Sequence, residues 1–128
     1  MQGEALQDRA RRRAEELPGA GVEHPFGPEW DVYKVRDKVF MLMTAVTGEP
    51  IVILKADPAD ATALRGEHDD ITPGYHMNKK HWITLRPGGS MPAGLVDELV
   101  TDSYRLVVEK LPRARRPVDP AAFRGATA

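Results

Sequence analysis

The sequence predicts an α+β domain in which helices pack on one face of an antiparallel sheet that runs as a meander. Two observations carry this. Residues 30–55 hold three apolar runs separated by two short polar turns, and residues 92–111 hold one apolar stripe at helical spacing. A third is size: 128 residues suffice for one core without covalent staples.

Taken in order, Leu6, Ala10, Ala14 and Leu17 share one face of a first helix over residues 3–16. Glu4, Asp8, Glu15 and Glu16 balance Arg9, Arg11, Arg12 and Arg13 on its exposed side, and Pro18-Gly19 ends it. Residues 20–29 read as irregular, broken by Pro25, Gly27 and Pro28. Strands at 30–35 and 39–46 flank a tight turn at Arg36-Asp37. After Thr47-Gly48-Glu49-Pro50 comes Ile51-Val52-Ile53-Leu54, apolar throughout, as expected of a strand covered on both faces.

Asp57-Pro58 starts a helix: the carboxylate accepts from free N–H groups, and proline at the first position wastes no donor. It is expected to run to about Leu64, with Gly66 as C-cap. Residues 67–80 read as loop and 81–86 as a strand closed by Pro87-Gly88-Gly89. Val96, Leu99, Val100, Ser103, Val107 and Leu111 then line the long helix at 92–111, stopped by Pro112. The domain is expected to span residues 1–112, with 113–128 a mobile tail rich in Arg, Pro and Ala. Trp82, Phe40, Ile53, Leu99 and Val107 are expected in the core.

Composition excludes several classes. Apolar residues at 41% and charged residues at 29% are ordinary globular values. Cysteine is absent, so neither disulfides nor thiolate metal sites are available. The polar, Arg-rich start is no signal peptide and no run reaches membrane-spanning length, which reads as a cytoplasmic protein. Eighteen Lys and Arg against nineteen Asp and Glu give a net charge of −1, which counts against a dedicated nucleic-acid binder. The charge is nevertheless segregated. No carboxylate lies between Asp70 and Asp97, while Lys79, Lys80 and Arg86 all do.

In the segment Tyr75 to Arg86, Tyr75 and Trp82 interleave with Lys79, Lys80 and Arg86, and Asn78 can bond a phosphate or base edge. Cations that neutralise phosphates, beside aromatics and amides that add direction, suit nucleic acid. The alternative is a packed Trp82, solvated Lys79 and Lys80, and Asn78 capping a turn. Lys34, Arg36 and Lys38 form a second basic cluster around the hairpin tip, suited to a wing against a phosphate backbone. Charged turns are equally what any soluble hairpin shows.

His68, His76 and His81, with Asp69 and Asp70, match no standard zinc spacing, and His76 and His81 read as residues that orient the loop. There is no glycine-rich phosphate loop, no G-x-S-x-G and no H-E-x-x-H. Ser103 sits on the apolar stripe, where a serine permits close packing and bonds the preceding turn. No catalytic residue, metal or cofactor is therefore expected.

Three segments carry a resemblance: HPFGPEWDVYKVRDKVF from His24, PGYHMNKKHWITL from Pro73 and SYRLVVEKLP from Ser103. Together they resemble the MmcQ/YjbR family across roughly residues 4–113, the middle segment most specifically. Relatives often carry glycine at the turn where this chain has Arg36-Asp37. The resemblance implies a fold similar to the CyaY/frataxin type and DNA binding through a "double wing" of hairpins. It brings no catalytic residue. The iron chemistry of a frataxin-like fold needs an acidic first helix, and the four arginines here count against it.

Two functions survive. One is a non-enzymatic module binding DNA weakly and with sequence tolerance through Lys34, Arg36, Lys38, Asn78, Lys79, Lys80 and Arg86. The other is a ligand- or protein-interaction module with a pocket around Tyr75, Asn78 and Trp82, flanked by His76 and His81. Lysines gathered on one face favour the first; scattered lysines favour the second.

Overall fold

A computed structural model describes residues 1–121. Its six-stranded, wholly antiparallel sheet has the order β1-β2-β3-β4-β6-β5. The strands are β1 (Ala20–Glu23), β2 (Trp30–Val35), β3 (Lys38–Thr44), β4 (Ile51–Lys55), β5 (Ile71–Pro73) and β6 (Trp82–Leu85). The helices are α1 (Gly3–Glu16), α2 (Pro58–Glu67) and α3 (Ala93–Glu109). The meander through β4 follows the short turns. Beyond it, α2 separates β4 from a β5–β6 hairpin that docks with β6 innermost.

The periodic elements form where expected. Leu6, Ala10, Ala14 and Leu17 are all buried, as are Val96, Leu99, Val100, Ser103, Val107 and Leu111. The small Ala10 and Ala14 leave room for α3 to approach. α1 and α3 run parallel, because Arg9 pairs with Asp97 (2.8 and 2.6 Å) and Arg13 donates to Thr101 (2.8 Å). Ser103 does not bond the preceding turn: its hydroxyl donates across to the carbonyl of Phe40 on β3. The Asp57 carboxylate caps α2 at the Ala59 N–H, 3.0 Å away.

β4 is covered on both faces. Val52 and Leu54 join the large core beneath the helices, while Ile51 and Ile53 join Val32 and Leu42 in a smaller cluster on the opposite face. The 74–81 loop crosses that second face, where Tyr75 and Met77 pack on the cluster. A bulge sits in the β2–β3 hairpin. Tyr33 pairs with Met41 and Lys34 with Val39, so Phe40 is the extra residue. The bulge puts Phe40 and Met41 together in the helix-side core, where Phe40 meets Tyr104 edge-on at 5.5 Å.

Several expectations are corrected. Residues 20–23, expected to be irregular, form β1 and pair with β2; only Ala20 is even half-buried, so the backbone ladder and not an apolar pattern makes the strand. Residues 71–73, expected as loop, form β5 against β6. α2 does not stop at Gly66. It runs through Glu67 to His68, whose ring Nδ1 lies 3.0 Å from the Ser90 carbonyl. Trp82 is half-buried, not core, because only the loop covers its face. Residues 113–121 pack where a mobile tail was expected. Arg113–Arg115 form a 3-10 turn, Arg116 donates to the carbonyls of Leu111 and Glu109, and Val118 lies on the core. Residues 122–128 lie outside the described residues. Among those described, no helix is long and apolar enough to cross a membrane.

Candidate nucleic-acid interface

Register decides where the two basic segments lie. Val35 pairs with Lys38 around the β2–β3 turn, and Lys55, at the end of β4, pairs with Trp82 at the start of β6. Because all strands are antiparallel, the Arg36-Asp37 tip and the 74–81 loop emerge from the same end of the sheet. β3 and β6 flank β4, so with about 4.8 Å between neighbours the two loops leave the sheet roughly 10 Å apart.

The turn holds two residues, both with positive φ (Arg36 48°, Asp37 67°), the arrangement that matches the sheet's twist in a two-residue hairpin. In the other loop, the Asn78 carboxamide oxygen accepts from the Lys80 N–H at 2.8 Å and the His81 N–H bonds the Asn78 carbonyl. Asn78 thus caps a turn that presents Lys79 and Lys80. Gly74, at the loop's stem, is buried, and a Cβ there would lie 2.6 Å from that of Trp82, so the β5–β6 hairpin closes only with glycine.

Lys38, Lys79 and Lys80 are exposed and pair with no carboxylate among the described residues. The other predicted residues are less available. Lys34 is half-buried and lies 3.4 Å from Glu23. Arg36 turns towards the C-terminal segment, its Nε donating to the Arg115 carbonyl at 3.0 Å. Arg86 stands at the opposite end of β6, joined to Glu49 at 2.6 Å, and that bond holds its pKa above the ordinary guanidinium value. Nearby, hydrogen bonds from the Ser90 N–H and hydroxyl hold Asp70 below the usual carboxylate range.

The aromatic residues divide in the same way. Tyr75 stacks on Trp30 (6.3 Å, 17°) and borders a groove with Thr47, Thr84 and Arg86. Trp82 borders a different cleft, with Lys38, Lys55 and Lys110, and Asn78 borders neither. The expected single pocket around Tyr75, Asn78 and Trp82 is therefore two separate depressions. His76 is exposed with φ 57°, its ring against Tyr75 at 4.1 Å, while the His81 carbonyl accepts the Ala56 N–H. No group of His, Asp and Glu among the described residues is arranged to hold a metal ion.

Sequence reasoning missed Trp30, Lys55 and Lys110. The signal for the two lysines was slight: each ends an apolar element, and only tertiary packing brings them together.

Comparison with known proteins agrees with this architecture. A family model described as YjbR matches residues 15–106. The chain is 43% identical over 111 residues to YbdF of Escherichia coli O157:H7, covering 87% of this chain and 91% of that one. It is 37% identical over 98 residues to YjbR of Escherichia coli K12, covering 75% and 83%. A crystal structure of the Deinococcus radiodurans protein DR2400, with domain DUF419, superposes with a TM-score of 0.79 at 37% identity, over 86% of this chain and 84% of that one.

Proposed function

The chain belongs to the YjbR family, and from that premise we propose that it is a non-enzymatic module that binds DNA weakly, with sequence tolerance, through one end of its sheet. One observation carries the reading: the two basic hairpin loops leave the same end of the sheet, with Lys38, Lys79 and Lys80 exposed and unneutralised. Cations so placed can each displace counterions from a phosphate. The Lys34–Glu23 pair and the Arg86–Glu49 pair leave those two cations as minor contributors.

A protein with net charge −1 gains little long-range attraction to DNA, so binding is expected to be local and salt-sensitive. Three neutralised phosphates correspond to a slope of log K on log salt near −2.7, about 0.9 per contact. Titration of labelled duplex and single strand from about 50 mM salt upward tests this. Failure of both to bind at the lowest salt overturns it.

A small-ligand or partner-binding module is the second reading. The half-buried Trp30–Tyr75 stack on the helix-free face supports it. Flat apolar surface beside polar loops is what such contacts use.

A further inference from the structure

The cleft at the basic end of the sheet shares Lys38 with the proposed DNA-binding surface, but neither Lys79 nor Lys80 lines it. It encloses about 450 Å³, within the range of small-molecule sites. Its walls are three ammonium-bearing side chains (Lys38, Lys55 and Lys110), the half-buried indole of Trp82, and the aliphatic Val39 and Val107. No carboxylate lines it. Lys55 also borders a neighbouring hollow holding Asp57, Asp60, Asp102 and Glu109, yet it forms no ion pair there.

We propose that this cleft binds a phosphate monoester carried on a flat ring, as in a nucleoside monophosphate or the 5′-phosphorylated end of a strand. Three lysines lining one cleft, with Lys55 and Lys110 close enough to repel each other, suit a group that is nearly dianionic at neutral pH and offers three terminal oxygens, since lysine binds phosphate as a point charge. The indole and the aliphatic wall supply the face on which a base stacks. In the free protein the like charges oppose one another: burial and then Lys110 hold Lys55 below the ordinary lysine value. A bound dianion removes that conflict.

This site does not require the DNA reading, with which it shares only Lys38, and the experiment separates them. In a Trp30→Phe protein Trp82 is the only tryptophan, so its emission reports the cleft. Adenosine 5′-monophosphate is expected to quench it saturably, with adenosine alone and inorganic phosphate alone each at least about tenfold weaker. Lys110→Ala and Lys55→Met are each expected to cost about tenfold in affinity, with circular dichroism confirming the fold. The Lys79→Ala, Lys80→Ala double variant is expected to leave nucleotide binding unchanged while weakening duplex binding. Preference for a 5′-phosphorylated over a 5′-hydroxyl oligonucleotide marks strand ends as the source; equal affinity marks the free nucleotide. Absence of saturable quenching up to about 10 mM nucleotide, or wild-type affinity in Lys110→Ala, overturns the proposal.

Discussion

The hydroxyl of Ser103 on α3 donates to the carbonyl oxygen of Phe40 on β3 at 2.5 Å. Phe40 is the bulged residue, so its carbonyl is one that the sheet ladder serves poorly. The same hydroxyl accepts the Lys55 N–H at 2.8 Å. One fully buried serine thereby ties the long helix to two strands at the basic end of the sheet.

Ser103→Ala leaves a buried carbonyl and an N–H without that partner, and is expected to destabilise the fold by about 2–4 kcal/mol. Urea denaturation measures this. An unchanged midpoint would show that water or backbone rearrangement replaces the hydroxyl.

Alkaline pH should loosen the helix layer. Burial raises the Tyr104 phenol to about 12, against the opposing field of Arg36, and its hydroxyl donates to the Pro18 carbonyl. The folded state therefore favours the neutral phenol, while an unfolded chain releases its proton near the ordinary value of about 10. Stability from this group is complete below pH ~10 and is lost as pH rises towards about 12. Tyr33, also raised by burial, contributes in the same direction. Tyr104→Phe should flatten the decline without abolishing it; a decline identical to the parent's would refute the assignment.

Asp37 occupies a left-handed position that glycine adopts without cost. Asp37→Gly should stabilise the hairpin by about 1 kcal/mol, a rise in Tm of about 4 °C. It also removes the only carboxylate at the tip, so duplex affinity should rise together with Tm. A rise in Tm without a change in affinity would separate the tip from any DNA contact.

The Lys79→Ala, Lys80→Ala double variant should flatten the salt slope of duplex binding by about 1.8. Asn78→Ala should weaken binding to all sequences alike, because its carboxamide oxygen holds the lysine turn. A selective change in sequence preference would instead place Asn78 on a base edge.

Legibility in the sequence followed how much apolar surface each element carries. Ile51 to Leu54 announced a strand covered twice, and one cover is the 74–81 loop. β1 and β5 were hidden because they are only 4 and 3 residues long: β1 buries almost nothing and β5 buries only Ile71, and neighbouring backbone recruits them. Trp82 read as core because an aromatic in a strand usually is; a loop, not a helix, crosses its face and leaves it half-open. Both roles for Asn78 were visible, and the capping bond is the one the structure forms. The gathering of Lys38, Lys55 and Lys110 was not visible, since a hairpin tip, a strand end and a helix end meet only in three dimensions.

The Arg9–Asp97 pair spans 88 positions of chain, and the seam it closes has a consequence for synthesis. Helix α1 leaves the ribosome 88 positions before the segment of α3 that it pairs with. Until then Leu6, Ala10 and Ala14 can rest on nascent strands but not on α3, and part of the sheet's apolar side stays bare. Contacts of such long separation are closed late and slowly. The nascent chain is therefore most vulnerable to proteases and to self-association until α3 emerges.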